Sequence, residues 1–335
     1  NIYDLTIKEL EDYFISINEK IFRAVQVYEA LYKRRIKSFD DMTNISKEVR
    51  EKLKQVFSFY KIKMLIKQQG KNVNKYLFEL EDGNKIESVL MFHDYGTSIC
   101  VSSQVGCNMT CAFCESGRLK KVRNLLAYEI VQQILQIEED INKRITHVVL
   151  MGIGEPFDNY DNVLRFVKII NCGKGVDIGS RHITISTCGV IPGIKKFMNE
   201  EGQVNLAISL HAPNNALRSR IMPINKAYPL NELMETIKEY INKTNRRVTF
   251  EYIMLDNVND SEENAKELAL LLKGINCYVN LIPYNETENI EFKRTKEWKI
   301  MKFYDILKKN KINVTIRKEF GGSVDAACGQ LRANN

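Results

Sequence analysis

Three cysteines fall in one short run, Gly106-Cys107-Asn108-Met109-Thr110-Cys111-Ala112-Phe113-Cys114, with C-x3-C-x2-C spacing. Three thiolates this close suit a metal centre. Three is also one fewer than a closed structural zinc site or a fully ligated iron–sulfur cluster takes. A [4Fe–4S] cluster held by three cysteines keeps one iron open to a further ligand, and an open position suggests an enzyme. Zinc completed by a distant fourth ligand is the alternative, since Cys100, Cys328 and four histidines are available. Three unrelated core cysteines is the plain reading. It suits the run poorly, because the segment is a polar loop rather than an apolar face.

Other residues invite chemistry. Gly152-Ile153-Gly154-Glu155-Pro156 lacks the full G-x-G-x-x-G pattern and fails as a dinucleotide signature. As a glycine-rich strand end it could bring backbone groups close to a ligand amine, with Glu155 accepting its hydrogen bonds; an ordinary turn is the competing reading. Ser209 and His211 end an alternating stretch, where a lone histidine is more often structural than catalytic. Asn285 could hydrogen-bond an adenine edge or a ribose. The small-residue segment Gly321-Gly322-Ser323-Val324-Asp325-Ala326-Ala327-Cys328-Gly329-Gln330-Leu331 exposes one cysteine to nucleophilic work.

Elements must position these groups. Residues 1–68 are glycine-free and helical in pattern: Leu10, Phe14, Ile17 and Ile21 share one face, Val25, Tyr28, Ala30, Leu31 and Tyr32 a second, and Ser46 caps a third helix carrying Val49, Leu53 and Val56. Residues 69–95 form a hairpin linker, Lys75–Leu80 and Ile86–Phe92 about an Asp82-Gly83 turn. From 96 to 335 strands and helices alternate, which implies parallel βαβ units. Strands are expected at Ser98–Ser102, Ile145–Gly152, His182–Thr187, Val204–Leu210, Val248–Leu255, Tyr278–Pro283 and Val314–Arg317. Six helices lie between them: Ala127–Ile141, Asn159–Ile170, Ile191–Asn199, Leu230–Asn242, Ser261–Leu272 and Thr295–Asn310. A partial (β/α)6 barrel fits best, with a doubly wound open sheet as the runner-up. In either, chemistry collects at the C-terminal strand ends, where the cysteine run, Glu155, Ser186, Ser209, His211 and Asn285 all fall.

Composition sets limits. With 335 residues, 44% hydrophobic and 27% charged, the chain reads as an ordinary globular protein of one large and one smaller unit. No apolar run approaches the roughly 18 residues of a membrane helix. The first residues, Asn1-Ile2-Tyr3-Asp4-Leu5, carry no basic stretch followed by an apolar one, so no export signal is expected. Eight cysteines without such a signal suggest a reducing, cytoplasmic setting. A net charge of +7 allows a polyanionic partner without demanding one.

Taken together, C-x3-C-x2-C, the Cys100–Cys107 interval, Met222-Pro223-Ile224-Asn225 and the Ala326-Ala327-Cys328-Gly329-Gln330-Leu331 tail make the chain resemble the RlmN/Cfr family of radical S-adenosylmethionine (SAM) RNA methyltransferases. The resemblance covers nearly the whole chain and implies roles for the matching positions. Cys107, Cys111 and Cys114 would hold a [4Fe–4S] cluster. Gly154, Glu155, Ser186, Ser209, Leu210, His211 and Asn285 would bind SAM. Cys328 would be methylated by one SAM, then lose a hydrogen to the radical from a second and add to an adenine ring carbon. Glu87 would take the ring proton, and Cys100 would attack the Cys328 sulfur to release the product.

The implied substrate is an adenine of 23S ribosomal RNA, protein-free or assembling, with transfer RNA as a further candidate. Pro156 and Leu281-Ile282-Pro283-Tyr284-Asn285 favour C2 methylation over the C8 chemistry of the resistance branch. An electron donor such as flavodoxin or ferredoxin, a cytoplasmic monomer and no membrane partner are also implied. Glu115, Cys188 and Glu286 depart from the family's usual residues; Glu115 would place negative charge beside the cluster and lower its potential. Lys120, Lys121 and Arg123, with Lys33-Arg34-Arg35 on the helical module, are candidate RNA contacts, against the plainer reading of solvated surface charge. Two other classes compete: a zinc-stabilised, non-catalytic RNA-binding protein, and a radical SAM enzyme acting on a peptide.

Overall fold

The computed structural model describes residues 1–317 and 329–331. Three helices open the chain: α1 (Ile7–Ser16), α2 (Phe22–Tyr32) and α3 (Lys47–Val56). Thr6 starts α1 through a reciprocal cap. Its Oγ1 accepts from the Glu9 N–H, and Glu9 Oε2 accepts from the Thr6 N–H at 2.8 Å. Ser46 caps α3 in the simpler way, accepting from the Val49 N–H. The first apolar stripe stops short of expectation. Asn18 turns left-handed at φ 57°, and Ile21 is left 50% exposed.

A strand follows where helix was expected. β1 (Lys63–Gly70) pairs antiparallel with β2 (Val73–Glu79). Its run Lys63-Met64-Leu65-Ile66-Lys67 has no strong period of its own; the β2 edge decides its state. β2 pairs with β3 (Lys85–His93), and β3 with β4 (Gly96–Cys100), again antiparallel. The expected two-stranded hairpin is therefore a four-stranded meander.

β4 belongs to both halves of the sheet, because its other edge pairs parallel with β7 (His147–Leu150). Between them lie the short pair β5 (Gln104–Val105) and β6 (Arg123–Asn124) and helix α4 (Ala127–Ile141). Then come α5 (Tyr160–Asn171), β8 (Ile183–Thr187), α6 (Ile191–Phe197), β9 (Asn205–Ser209), α7 (Asn215–Ile221), α8 (Leu230–Thr244), β10 (Val248–Met254), α9 (Glu262–Leu271), β11 (Cys277–Pro283), α10 (Glu297–Lys309) and β12 (Val314–Ile316). The spatial order β4-β7-β8-β9-β10-β11-β12 follows the chain without reversal. A doubly wound sheet would reverse at a switch point, so the partial barrel is the correct member of the expected pair. Helices cover the outer face, and strands such as β9 read as nearly continuous apolar runs. The short helix α7 lies in a stretch expected to be loop; Asn214 caps it by accepting from the Leu217 N–H at 2.9 Å.

The helical module packs directly on the barrel. Asp4 accepts from the Tyr128 N–H at 3.0 Å, Arg165 pairs with Glu9 at 3.0 Å, and Arg35 pairs with Glu138. Gly175 makes room for the aromatic seam, since a Cβ there would sit 2.8 Å from the Tyr28 ring. Among the described residues no helix is long and apolar enough to cross a membrane.

Candidate active site

The C-terminal strand ends open onto a cavity. Gly152, Gly154 and Glu155 reach it from β7, Ser186 and Cys188 from β8, Ser209 and His211 from β9. Glu251 and Ile253 come from β10, Ile282 from β11 and Arg317 from just past β12; Cys107, Cys111 and Cys114 supply another wall.

The cysteine loop is built tightly. Gly106 is left-handed at φ 73°, and a Cβ there would sit 2.1 Å from the Lys120 carbonyl. The Cys107 N–H donates to the Leu119 carbonyl at 3.0 Å, and the Cys114 N–H to the Cys111 carbonyl at 3.1 Å. Returning tail residues brace the loop from outside: the Glu115 N–H donates to the Gly329 carbonyl at 2.8 Å, and Ser116 Oγ to the Leu331 carbonyl at 2.6 Å. Burial pushes the Cys107 thiol up to about 12 and Cys111 well above the ordinary range. The charge of a bound metal would reverse that preference and draw off the protons. Among the described residues no three Cys, His, Asp or Glu side chains are grouped to hold one ion. Cys107, Cys111 and Cys114 line the same cavity, and three thiolates are the set that would hold a cluster with one iron left open.

Glu155 is fixed before any ligand arrives. Its Oε1 accepts from the Phe157 N–H at 3.0 Å and its Oε2 from the Cys188 N–H at 2.8 Å. Its own N–H donates to Gln104 Oε1 at 2.9 Å. Burial raises its pKa, and each carboxylate oxygen retains acceptor capacity for an incoming cation. His211 sits left-handed at φ 58°, edge-on to Phe113 with ring centroids 4.9 Å apart. Its Nδ1 accepts from the Ile253 N–H at 3.0 Å. Burial, with the nearby Arg218 charge, pulls its pKa down to about 3. The ring is therefore neutral, with its proton on Nε2.

Cys100 and Glu87 occupy neighbouring strands beside the cavity rather than its lining. Cys100 is opposite Val89 in register, in an apolar cluster with Val73, Met91, Ile153 and Leu331. Met151 packs on that cluster and also lines the cavity. Glu87 is buried and ion-paired with Lys75 at 2.9 Å. Cys328 lies outside the described residues; its chain neighbour Gly329 lines the cavity.

Two expected cofactor contacts also fall outside the lining. Leu210 is fully buried, and its carbonyl accepts from Arg218. Asn285 stands beyond β11 with its Nδ2 near the Pro283 carbonyl at 3.5 Å. Two of the expected phosphate contacts are already paired: Lys121 with Asp158 at 2.8 Å, and Arg123 with both Glu129 and Asp82. Lys120 is exposed.

Arg218 was invisible in the sequence. It is fully buried on α7 and donates to the carbonyls of Leu210, Cys188 and Ser209 and to Asn225 Oδ1. One side chain thereby ties the ends of β8 and β9 together. Its only sequence signal, a basic residue after Pro213-Asn214-Asn215, looks like surface.

Two family models match the chain: "Ribosomal RNA large subunit methyltransferase N-terminal domain" over residues 1–59 and "Radical SAM superfamily" over residues 101–269. A "Probable dual-specificity RNA methyltransferase RlmN" of Spiroplasma citri is 53% identical over 339 residues, covering 100% of this chain and 98% of that protein. This chain belongs to the RlmN family. Another RlmN family relative with the same description, from Streptococcus thermophilus (strain CNRZ 1066), is 54% identical over 343 residues, covering 100% of this chain and 88% of its own. The crystal structure of a radical SAM methyltransferase from Sphaerobacter thermophilus matches with a TM-score of 0.94 and 41% identity, over 99% of both chains. Membership of the RlmN family, with its radical SAM fold, implies a [4Fe–4S] cluster and SAM.

Proposed function

We propose that this protein methylates C2 of an adenine in 23S ribosomal RNA, with an adenine of transfer RNA as a second substrate. The observation that carries the reading is the three-cysteine wall facing Glu155, Ser186, Ser209 and His211 across one cavity. When bound, the cluster and SAM supply a methyl group and a carbon radical, which an unreactive adenine ring carbon requires.

The protein's own residues do the rest. Cys107, Cys111 and Cys114 hold the cluster. Gly154 and Glu155 hold the cationic amine end of SAM, while Ser186, Ser209 and His211 face its nucleoside. Asn285 serves the adenine from the rim. Cys328 carries the methyl group to the base as a thioether, so each product uses one SAM for methylation and one for the radical. Glu87 takes the ring proton, and Cys100 attacks the Cys328 sulfur. The Cys100 cluster contains Leu331, three residues beyond Cys328, which supports pairing the two thiols. An electron comes from a small donor of the flavodoxin or ferredoxin class, and an RNA substrate places the reaction in the cytoplasm.

Mass spectrometry of RNA nucleosides tests this. Anaerobically reconstituted protein should yield 2-methyladenosine in a 23S transcript. 8-Methyladenosine would favour the resistance branch instead. SAM cleavage indifferent to RNA would favour a peptide substrate. Cys100→Ala should accumulate a covalent protein–RNA adduct, and normal turnover by that variant would remove Cys100 from the mechanism.

A further inference from the structure

Glu251 stands on β10, in register with Ser209 on one side and Asn280 on the other. It is 4% exposed and lines the cavity. Its Oε1 accepts from Asn280 Nδ2 at 2.9 Å. Its Oε2 is buried and, among the described residues, accepts no hydrogen bond. Arg317 Nη1 lies 4.0 Å from that oxygen, which balances charge without donating a hydrogen bond. A buried carboxylate oxygen with no donor is rare in native proteins and calls for an explanation. A donor that arrives with the ligand provides one.

We propose that Glu251 Oε2 accepts a hydrogen bond from a ribose hydroxyl of SAM, making Glu251 a cofactor-binding residue. The inference rests on the radical SAM reading of this cavity. The other donors of that molecule have better claimants. Its ammonium group belongs near Glu155, and its sulfonium carries no hydrogen to donate. The adenine faces suit the apolar lining of Met222, Ile253 and Ile282, and the adenine 6-amino group falls to Asn285 at the rim. The ribose diol remains, joining the amine end near β7 to the base beyond β9, and β10 is where it would fall. Carboxylates serve ribose hydroxyls in the same way in dinucleotide sites.

Calorimetric titration of the cluster-loaded holoenzyme tests this without turnover. S-Adenosylhomocysteine is compared with its 2′-deoxy and 3′-deoxy analogues. Wild type should bind at least one deoxy analogue roughly tenfold to a hundredfold more weakly. Glu251→Ala should bind the parent compound weakly and no longer distinguish it from that analogue. Glu251→Gln, of the same shape, should retain part of the discrimination and full iron content. Equal binding of all three compounds by wild type overturns the proposal. So does full discrimination in Glu251→Ala. If cluster-loaded wild type binds none of them, the radical SAM reading itself fails, and this inference with it.

Discussion

Arg218 holds four acceptors on one guanidinium in a fully buried position. Arg218→Met keeps much of the volume and strands those acceptors, so it should cost about 3–5 kcal/mol, read as a lower denaturation midpoint. His211 acts through protons. Its folded pKa of about 3 lies below the ordinary histidine value of about 6.5, so the unfolded chain binds the extra proton. Stability from this residue is fully present above about pH 6.5 and falls as the pH drops toward 3. Apoprotein should lose about 1 kcal/mol between pH 7 and 5.5 from this group, and His211→Gln should flatten that slope. Glu115 is buried directly after Cys114, with Arg118 3.8 Å from one of its oxygens and, among the described residues, no hydrogen bond on the other. Glu115→Gln should raise the cluster's midpoint potential by tens of millivolts, seen by redox titration of its absorbance; an unchanged potential would mean Arg118 already cancels the charge.

The loop between β5 and β6 depends on Gly106, where both the left-handed backbone and the nearby Lys120 carbonyl exclude a side chain. Gly106→Ala should lower iron uptake on reconstitution while leaving the helical content close to wild type, by iron assay and circular dichroism. Elements of this kind differ in how well the sequence announced them. The barrel strands were legible because covered strands are apolar on both faces and are bounded by polar or glycine-rich ends. β1 was not, because its state is set by pairing with β2. α7 was not, because it has seven residues and a start that reads as a turn. Among site residues the contrast is chemical. Cysteine spacing carries its meaning in the sequence. Glu251 sits in Phe250-Glu251-Tyr252, where one glutamate in an apolar strand says nothing about which face it occupies. Leu210 came only through family resemblance, whereas Asn285 was also legible from its place after a strand end; neither side chain is on the cavity wall.

A single apolar core runs from Leu10 and Phe14 of the helical module through Tyr28 and Ile134 to the barrel strands. Domains joined by so continuous a core unfold together. Calorimetry of the full chain should show one transition, and two resolved transitions would mean that the module is energetically separate. Removing residues 1–59 would uncover Tyr128 and its neighbours on α4, so that fragment should aggregate on refolding. The bond from Ser116 to the Leu331 carbonyl has a temporal meaning. It joins residues 215 positions apart, so a ribosome translating at about 5–20 residues per second releases the second partner ten seconds or more after the first. Until then the three thiols ride on a loop with one side unsupported. Metal loading on nascent chains should therefore lag behind emergence of the cysteines and follow completion of the tail.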